Sequence, residues 1–112
     1  MQHTFDTIVE HLRKQGCKSA DAIGVCLYRG PNGLKCAAGI LIPDDKYHLD
    51  MENKPCDLDI VCKAIPEQYD IHIASRMQNI HDSYPPCYWE SKFKQLAERY
   101  NLTYKAPDEV LL

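Results

Sequence analysis

The sequence has little of what usually reveals a function. It has no apolar run near the ~18 residues that a membrane-spanning helix needs. Its first residues lack the basic and apolar regions of a secretory signal peptide. A net charge of -3 is far from the strongly basic face of a nucleic-acid-binding protein. We therefore expect a cytoplasmic protein that uses no membrane and for which nucleic acid is an unfavoured partner.

The chain contains six cysteines, but no two have the Cys-x-x-Cys spacing that is common in zinc sites. In a reducing cytoplasm these thiols are expected to stay free. A metal site would need Cys26 and Cys36 to share one face and to recruit Cys56 or His48. Free cysteines are more simply interpreted as small core residues. We predict no metal site and no cofactor.

A cysteine nucleophile is a second candidate chemistry. Cys36 lies where an extended segment enters a short helix, and amides at a helix end lower the pKa of a thiol. Catalysis would also need a nearby imidazole, and His72 and His81 are the candidates. No motif fixes that arrangement, so we predict no catalytic residues and expect that the protein is not an enzyme.

A tight turn at residues 30–33, Gly-Pro-Asn-Gly, dominates the first half of the chain. Proline favours the first central position of a type I turn, and Gly33 accepts a positive φ. A three-residue loop then pairs Arg29 with Lys35, whereas a two-residue loop would pair Arg29 with Leu34; the turn rule favours the first. The motif lacks the spacing of a phosphate-binding loop. The pattern predicts a β-hairpin over about 25–36, followed by a short apolar helix that Pro43 ends.

Helical periodicity predicts four main helices around this hairpin. Thr4 is the expected N-cap of the first helix and Gly16 its C-terminal cap, while Asp57 and Asp70 are expected to begin later helices. We predict one α+β domain over residues 1–112, with a tail at 103–112 that either frays or docks through Val110, Leu111 and Leu112. The four apolar stripes are Phe5, Ile8, Val9 and Leu12; Leu58, Val61, Cys62 and Ile65; Ile73, Met77, Ile80 and Tyr84; and Trp89, Phe93, Leu96 and Tyr100.

The stretch from Cys26 onward has a distinctive spacing, Cys-x-Tyr-Arg followed by Gly-x-Lys-Cys-Ala-x-Gly-x-Leu-Ile-Pro-Asp. It resembles a family of small, mostly uncharacterised tailed-phage and prophage proteins, over roughly the first half of the chain. The resemblance implies a phage-type product that acts inside a bacterial cell, and it brings no established activity. The matching residues are Cys26, Tyr28, Arg29, Gly33, Lys35, Cys36, Ala37, Gly39, Leu41, Ile42, Pro43, Asp44, Tyr47, Met51 and Glu52.

Charge and aromatic residues indicate where a partner would bind. Residues 44–70 carry eight acidic side chains and three lysines, which form either a solvated loop or a patch that steers a partner. Tyrosine is favoured at interfaces, whereas Trp89 and Phe93 fit the core. We expect an interaction protein that modulates a host or phage protein, such as a defence or replication component. Alternatives are a small metal-binding or nucleic-acid-binding module and a cysteine-dependent enzyme. The candidate partner-binding residues are Arg29, Lys35, Asp44, Asp45, Tyr47, Tyr84 and Tyr88.

Overall fold

The computed structural model of the chain describes residues 1–107, and that part is mostly helical. The α-helices are α1 (Gln2–Gln15), α2 (Asp59–Cys62), α3 (Ile71–Ser83) and α4 (Trp89–Arg99). None of the helices in this part combines the length and the hydrophobicity of a membrane span. Single 3-10 turns lie at Pro31–Gly33, Gly39–Leu41, Asp44–Lys46, Leu49–Met51 and Pro86–Tyr88.

The core lies where α3 packs between α1 and α4. The helical stripes predicted for these three helices are confirmed, with their apolar residues buried at the spacing of one helix face, except at Tyr84 and Tyr100. These two tyrosines follow the last residues of α3 and α4 and are partly buried. Trp89 and Phe93 belong to this core, as expected. The fully buried members of the three stripes include Ile8, Leu12, Ile73, Met77 and Phe93.

The two ends of α1 differ in how well the sequence predicts them. Gly16 ends the helix as predicted, with φ at +71° and its N–H donating to the carbonyl of Leu12. The start is wrong: α1 begins at Gln2, and Thr4 lies buried inside it rather than at the N-cap. The Thr4 hydroxyl instead accepts the N–H of Asp70 at 2.8 Å. Asp70 caps α3 as predicted, since its carboxylate accepts the N–H of Ile73.

The predicted α+β class is wrong, because residues 1–107 contain no β-strand and no sheet. Two isolated antiparallel bridges, Ala20 with Cys26 and Arg29 with Lys35, are the only pairings in this part of the chain. The second has the register of the three-residue loop. The turn itself differs from type I, because Asn32 joins Gly33 at positive φ, +59° and +79°.

Side chains replace the missing strands as hydrogen-bond partners of the backbone. Each buried N–H and C=O needs a partner, and residues 19–38 obtain many of theirs from residues far away in sequence. The Ser19 N–H donates to His81 at 3.0 Å, and the Ala38 N–H donates to Gln78 at 2.8 Å. The Tyr28 N–H donates to Glu52 at 2.8 Å. Both backbone groups of Lys35 bond to the Gln15 amide at 2.9 Å. These bonds take the place of a longer ladder, of which residues 28–36 keep the backbone bonds from Gly30 to Leu34 and from Cys36 to Tyr28.

The shorter helices also differ from the predictions. The segment from Cys36 to Ile42 forms only the 3-10 turn Gly39–Leu41, and α2 is short, with Leu58 rather than Asp57 at its N-cap. The segment makes one bond of helical type, from the Ile40 N–H to the Cys36 carbonyl, before the chain turns extended at Ile42.

The beginning of the tail is attached to α1. The Gln2 amide exchanges two hydrogen bonds with the backbone of Thr103, at 3.0 and 2.8 Å. The predicted docking by Val110, Leu111 and Leu112 lies outside the described residues.

Candidate functional site

A half-buried arginine lies at the centre of the strongest candidate site. Nη1 of Arg29 donates to Oδ1 of Asp44 at 2.6 Å, and Nη2 donates to the carbonyl of Ile42 at 2.7 Å. The guanidinium also lies over the ring of Tyr47, 5.0 Å from its centroid. We call Arg29, Lys35, Asp44, Tyr47 and Glu52 the Arg29 cluster.

Local chain geometry explains why these residues meet. The antiparallel bridge places Arg29 directly opposite Lys35, and directly opposed residues point to the same face. Pro43 then directs the chain into the turn that begins with Asp44. As a result, Nζ of Lys35 lies 3.7 Å from the same carboxylate oxygen that Arg29 binds.

Glu52 fixes the backbone at Arg29 and the side chain of Tyr47 through hydrogen bonds. Its carboxylate accepts the N–H groups of Tyr28 and Arg29, at 2.8 and 3.1 Å, and the hydroxyl of Tyr47 at 2.6 Å. Burial, and then this hydrogen bond to Glu52, raises the pKa of Tyr47 to about 12. Tyr47 therefore stays a neutral donor at physiological pH, and Arg29 is fixed through its backbone as well as its side chain.

The carboxylate that pairs with the arginine is exposed. The side chain of Asp44 is 84% exposed, whereas that of Arg29 is 19% exposed. The hydrogen bond from Arg29, and then the charge of Lys35, lowers the pKa of Asp44 below its ordinary value. Asp44 is thus an ionised acceptor that is exposed to solvent and pairs with two less exposed cations, Arg29 and Lys35.

The other predicted partner-binding residues lie in two places. Asp45 follows Asp44 and is exposed. Tyr84 and Tyr88 lie at the junction of α3 and α4, where Nζ of Lys92 is 4.4 Å from the centroid of the Tyr84 ring. Tyr88 is 56% exposed. The structure therefore brings Arg29, Lys35, Asp44 and Tyr47 together, with Asp45 beside them.

The thiol considered as a nucleophile is inaccessible. Cys36 is fully buried, and the N–H of Gly39 donates to its sulfur at 3.3 Å. Burial raises the pKa of this thiol far above its ordinary value, so it stays protonated. The two imidazoles named with it have other partners: His72 bonds to the hydroxyl of Tyr100, and His81 bonds to Ser19 and Asp82.

A second cluster, which the sequence did not indicate, contains Cys26, His81 and Asp82. One ligand atom from each lies within 4.8 Å of the other two. The cysteine and the histidine are separated by about half of the chain, so no spacing rule would detect the group. It shares only Cys26 with the ligand set considered from the sequence.

The hydrogen bonds of this cluster oppose metal binding. Nε2 of His81 accepts the Ser19 N–H, so Nδ1 carries the proton that it shares with Oδ1 of Asp82 at 2.7 Å. A metal ion would find a free lone pair on neither nitrogen. Partial burial, and then the charge of Asp82, raises the pKa of the Cys26 thiol. The cluster therefore acts as a polar junction between α3 and the segment at 18–26.

Comparisons of the chain with protein-family models, with curated proteins and with solved structures gave no match.

Proposed function

We propose that the chain is a small phage-type interaction protein that works in the bacterial cytoplasm. It binds a host or phage protein and modulates it, and the Arg29 cluster with Asp45 is the contact surface. The phage origin rests on the resemblance carried by residues such as Cys26, Tyr28, Arg29 and Lys35.

One observation carries the choice of surface. Arg29 is ordered by Ile42, Tyr47 and Glu52 before any partner arrives, yet its charge is balanced by a carboxylate that is open to solvent. Arginine and tyrosine are the residues on which interface energy concentrates, and an ordered side chain loses less entropy on binding.

A binding role also fits the state of the two buried cysteines, Cys36 and Cys56, better than thiol chemistry does. A nucleophilic thiol needs a lowered pKa and access to solvent. Cys36 has neither, and burial also raises the pKa of Cys56. These thiols are therefore suited to the core.

The test is affinity capture of the tagged chain from infected and uninfected bacterial lysates, followed by titration of the recovered partner. We expect Lys35→Gln to weaken the partner about tenfold, because the lost charge faces the interface. Lys94→Gln, the same change at an exposed position of α4, is the matched control and should bind as the wild type does. Recovery of no stoichiometric partner, or equal binding by both variants, contradicts the proposal.

A further inference from the structure

Two cations of the Arg29 cluster converge on a single oxygen. Oδ1 of Asp44 lies 2.6 Å from Nη1 of Arg29 and 3.7 Å from Nζ of Lys35. The cationic side chains are mostly covered, at 19% and 29% exposure, while the carboxylate is 84% exposed. The cluster has the form of a carboxylate receptor whose present occupant is a residue of the same chain.

The occupant is easy to displace, whereas the receptor is not. An ion pair with a solvent-exposed partner contributes little net free energy, so Asp44 can swing into water at small cost. Arg29 keeps its contacts with the Ile42 carbonyl and the Tyr47 ring when Asp44 leaves. Ordered donors facing a removable acceptor are what a preorganised binding site requires.

The donor that an incoming carboxylate can use is Nη1 of Arg29, which Asp44 now occupies. Nη2 is bonded to the carbonyl of Ile42, and Nε is buried, without a hydrogen-bond partner among residues 1–107. A hydrogen bond from a guanidinium to a carboxylate is charge-assisted and roughly twice as strong as a neutral one.

Charge selects a carboxylate over a phosphate. With Asp44 withdrawn, Glu52 is the one other carboxylate that the structure of residues 1–107 shows bonded within the cluster, which leaves one of the two positive charges uncompensated. A single carboxylate neutralises that charge, whereas a doubly charged phosphate would leave an excess of negative charge.

We infer that the partner presents an acidic protein segment, one carboxylate of which replaces Asp44 between Arg29 and Lys35. Asp44 is then an internal competitor that keeps the site closed until such a segment arrives. This inference rests on the proposed function and names the chemistry of the partner.

The experiment uses two neighbouring acids as a matched pair. Asp44→Ala and Asp45→Ala each remove one negative charge from the same turn. Of these two acids, only Asp44 forms ion pairs with Arg29 and Lys35 in the described part of the chain. A capped hexaglutamate peptide is titrated into each full-length variant at low ionic strength, with inorganic phosphate in a parallel series. The Nε–Hε signal of Arg29 in a ¹H–¹⁵N NMR spectrum reports binding at this residue.

We expect Asp44→Ala to bind the peptide about three- to tenfold more tightly than wild type, because removing an internal competitor restores the fraction of open sites. Asp45→Ala should change affinity less, and phosphate should bind more weakly than the peptide. Equal gains in both variants, no gain in Asp44→Ala, or tighter binding of phosphate would each overturn the inference.

The two proposals fail in different ways. A captured cellular partner whose affinity is unchanged by Asp44→Ala overturns the carboxylate receptor and leaves the interaction function standing. Capture of no partner, with the peptide still binding more tightly to Asp44→Ala, overturns the interaction function and leaves the receptor standing.

Discussion

Some positions in this molecule accept only one type of residue, and Gly39 is the clearest example. A Cβ atom built at this position overlaps the backbone carbonyl of Tyr28 and lies 3.2 Å from the sulfur of Cys36. This close contact gives the glycine a packing role. A backbone oxygen cannot rotate away as a side chain can, so the close approach is available to glycine alone.

We expect Gly39→Ala to lower the free energy of unfolding by about 2 kcal/mol or more, because overpacking against a fixed group forces the backbone to shift. Urea denaturation followed by circular dichroism measures the change. Gly16→Ala is the control: its Cβ meets no atom within 4 Å, so only the left-handed backbone costs about 1 kcal/mol. Equal losses in the two variants would contradict the steric argument.

His81 is the second residue on which much depends. It is fully buried, and it supplies the acceptor for the buried N–H of Ser19. We expect His81→Leu to cost about 1–3 kcal/mol, because that N–H is left without a partner. His3→Leu, an exposed imidazole on α1, should stay within about 0.5 kcal/mol of wild type. Thermal denaturation of both variants decides, and similar melting temperatures would refute the assigned role.

At the scale of elements, hydrophobic periodicity predicts the helices, whose backbone hydrogen bonds are local. It does not predict segments whose backbone bonds to distant residues. The stripes of α1, α3 and α4 follow from the spacing of residues such as Phe5, Ile8 and Phe93, since a helix satisfies its own backbone. The hairpin at 25–36 was wrongly predicted as strands because several of its backbone N–H groups bond to side chains outside the segment, those of Gln15 and Glu52, and only short backbone pairing remains. A turn motif carries no information about a distant glutamine that will bond to its backbone in place of a neighbouring strand.

Candidate-site residues show the same division. The turn rule set the register that opposes Arg29 and Lys35, and the sequence therefore predicted that pair. That Asp44 pairs with both, and that Glu52 accepts the Arg29 N–H, depends on how the loops at 43–52 fold. These contacts are tertiary and produce no periodic pattern in the sequence.

The substitution of a side chain for a strand is testable at Gln15. Its amide bonds to both backbone groups of Lys35 and to the carbonyl of Cys17, each at 2.9 Å. Gln15→Ala should cost about 1–3 kcal/mol and should increase hydrogen exchange at the Lys35 amide, which loses its acceptor. Gln95→Ala, at an exposed position of α4, is the control. Unchanged protection at Lys35 would disprove the role of Gln15.

Across the whole molecule, one ion pair links three regions of the chain. Arg13 of α1 binds Glu90 of α4 with two hydrogen bonds of 2.8 and 2.7 Å. The same arginine donates to the carbonyl of Lys105, and the hydroxyl of Tyr104 donates to Glu90. This network holds the first helix, the last helix and the tail in one arrangement.

Acid should weaken that arrangement. Partial burial raises the pKa of Glu90, but the hydrogen bonds from Arg13 and Tyr104 outweigh it and leave the pKa below the ordinary value of 4.5. A lowered pKa means that this contribution to stability is complete above pH 4.5 and is lost as the pH falls through the lower, native-state pKa. Urea denaturation at a series of pH values should show a smaller acid-dependent loss for Glu90→Gln than for wild type. Glu98→Gln should retain the wild-type profile; a Glu90→Gln profile equal to wild type would contradict the assignment.

The hydrogen bonds from the loop backbone to side chains of other elements also have a kinetic consequence. The groups that fix residues 28–38 come from α1, from the segment around Glu52 and from α3. Because these bonds form only when those three regions have assembled, we expect the turn to reach its complete native structure late in folding. Substitutions within it should accelerate unfolding while leaving the refolding rate almost unchanged.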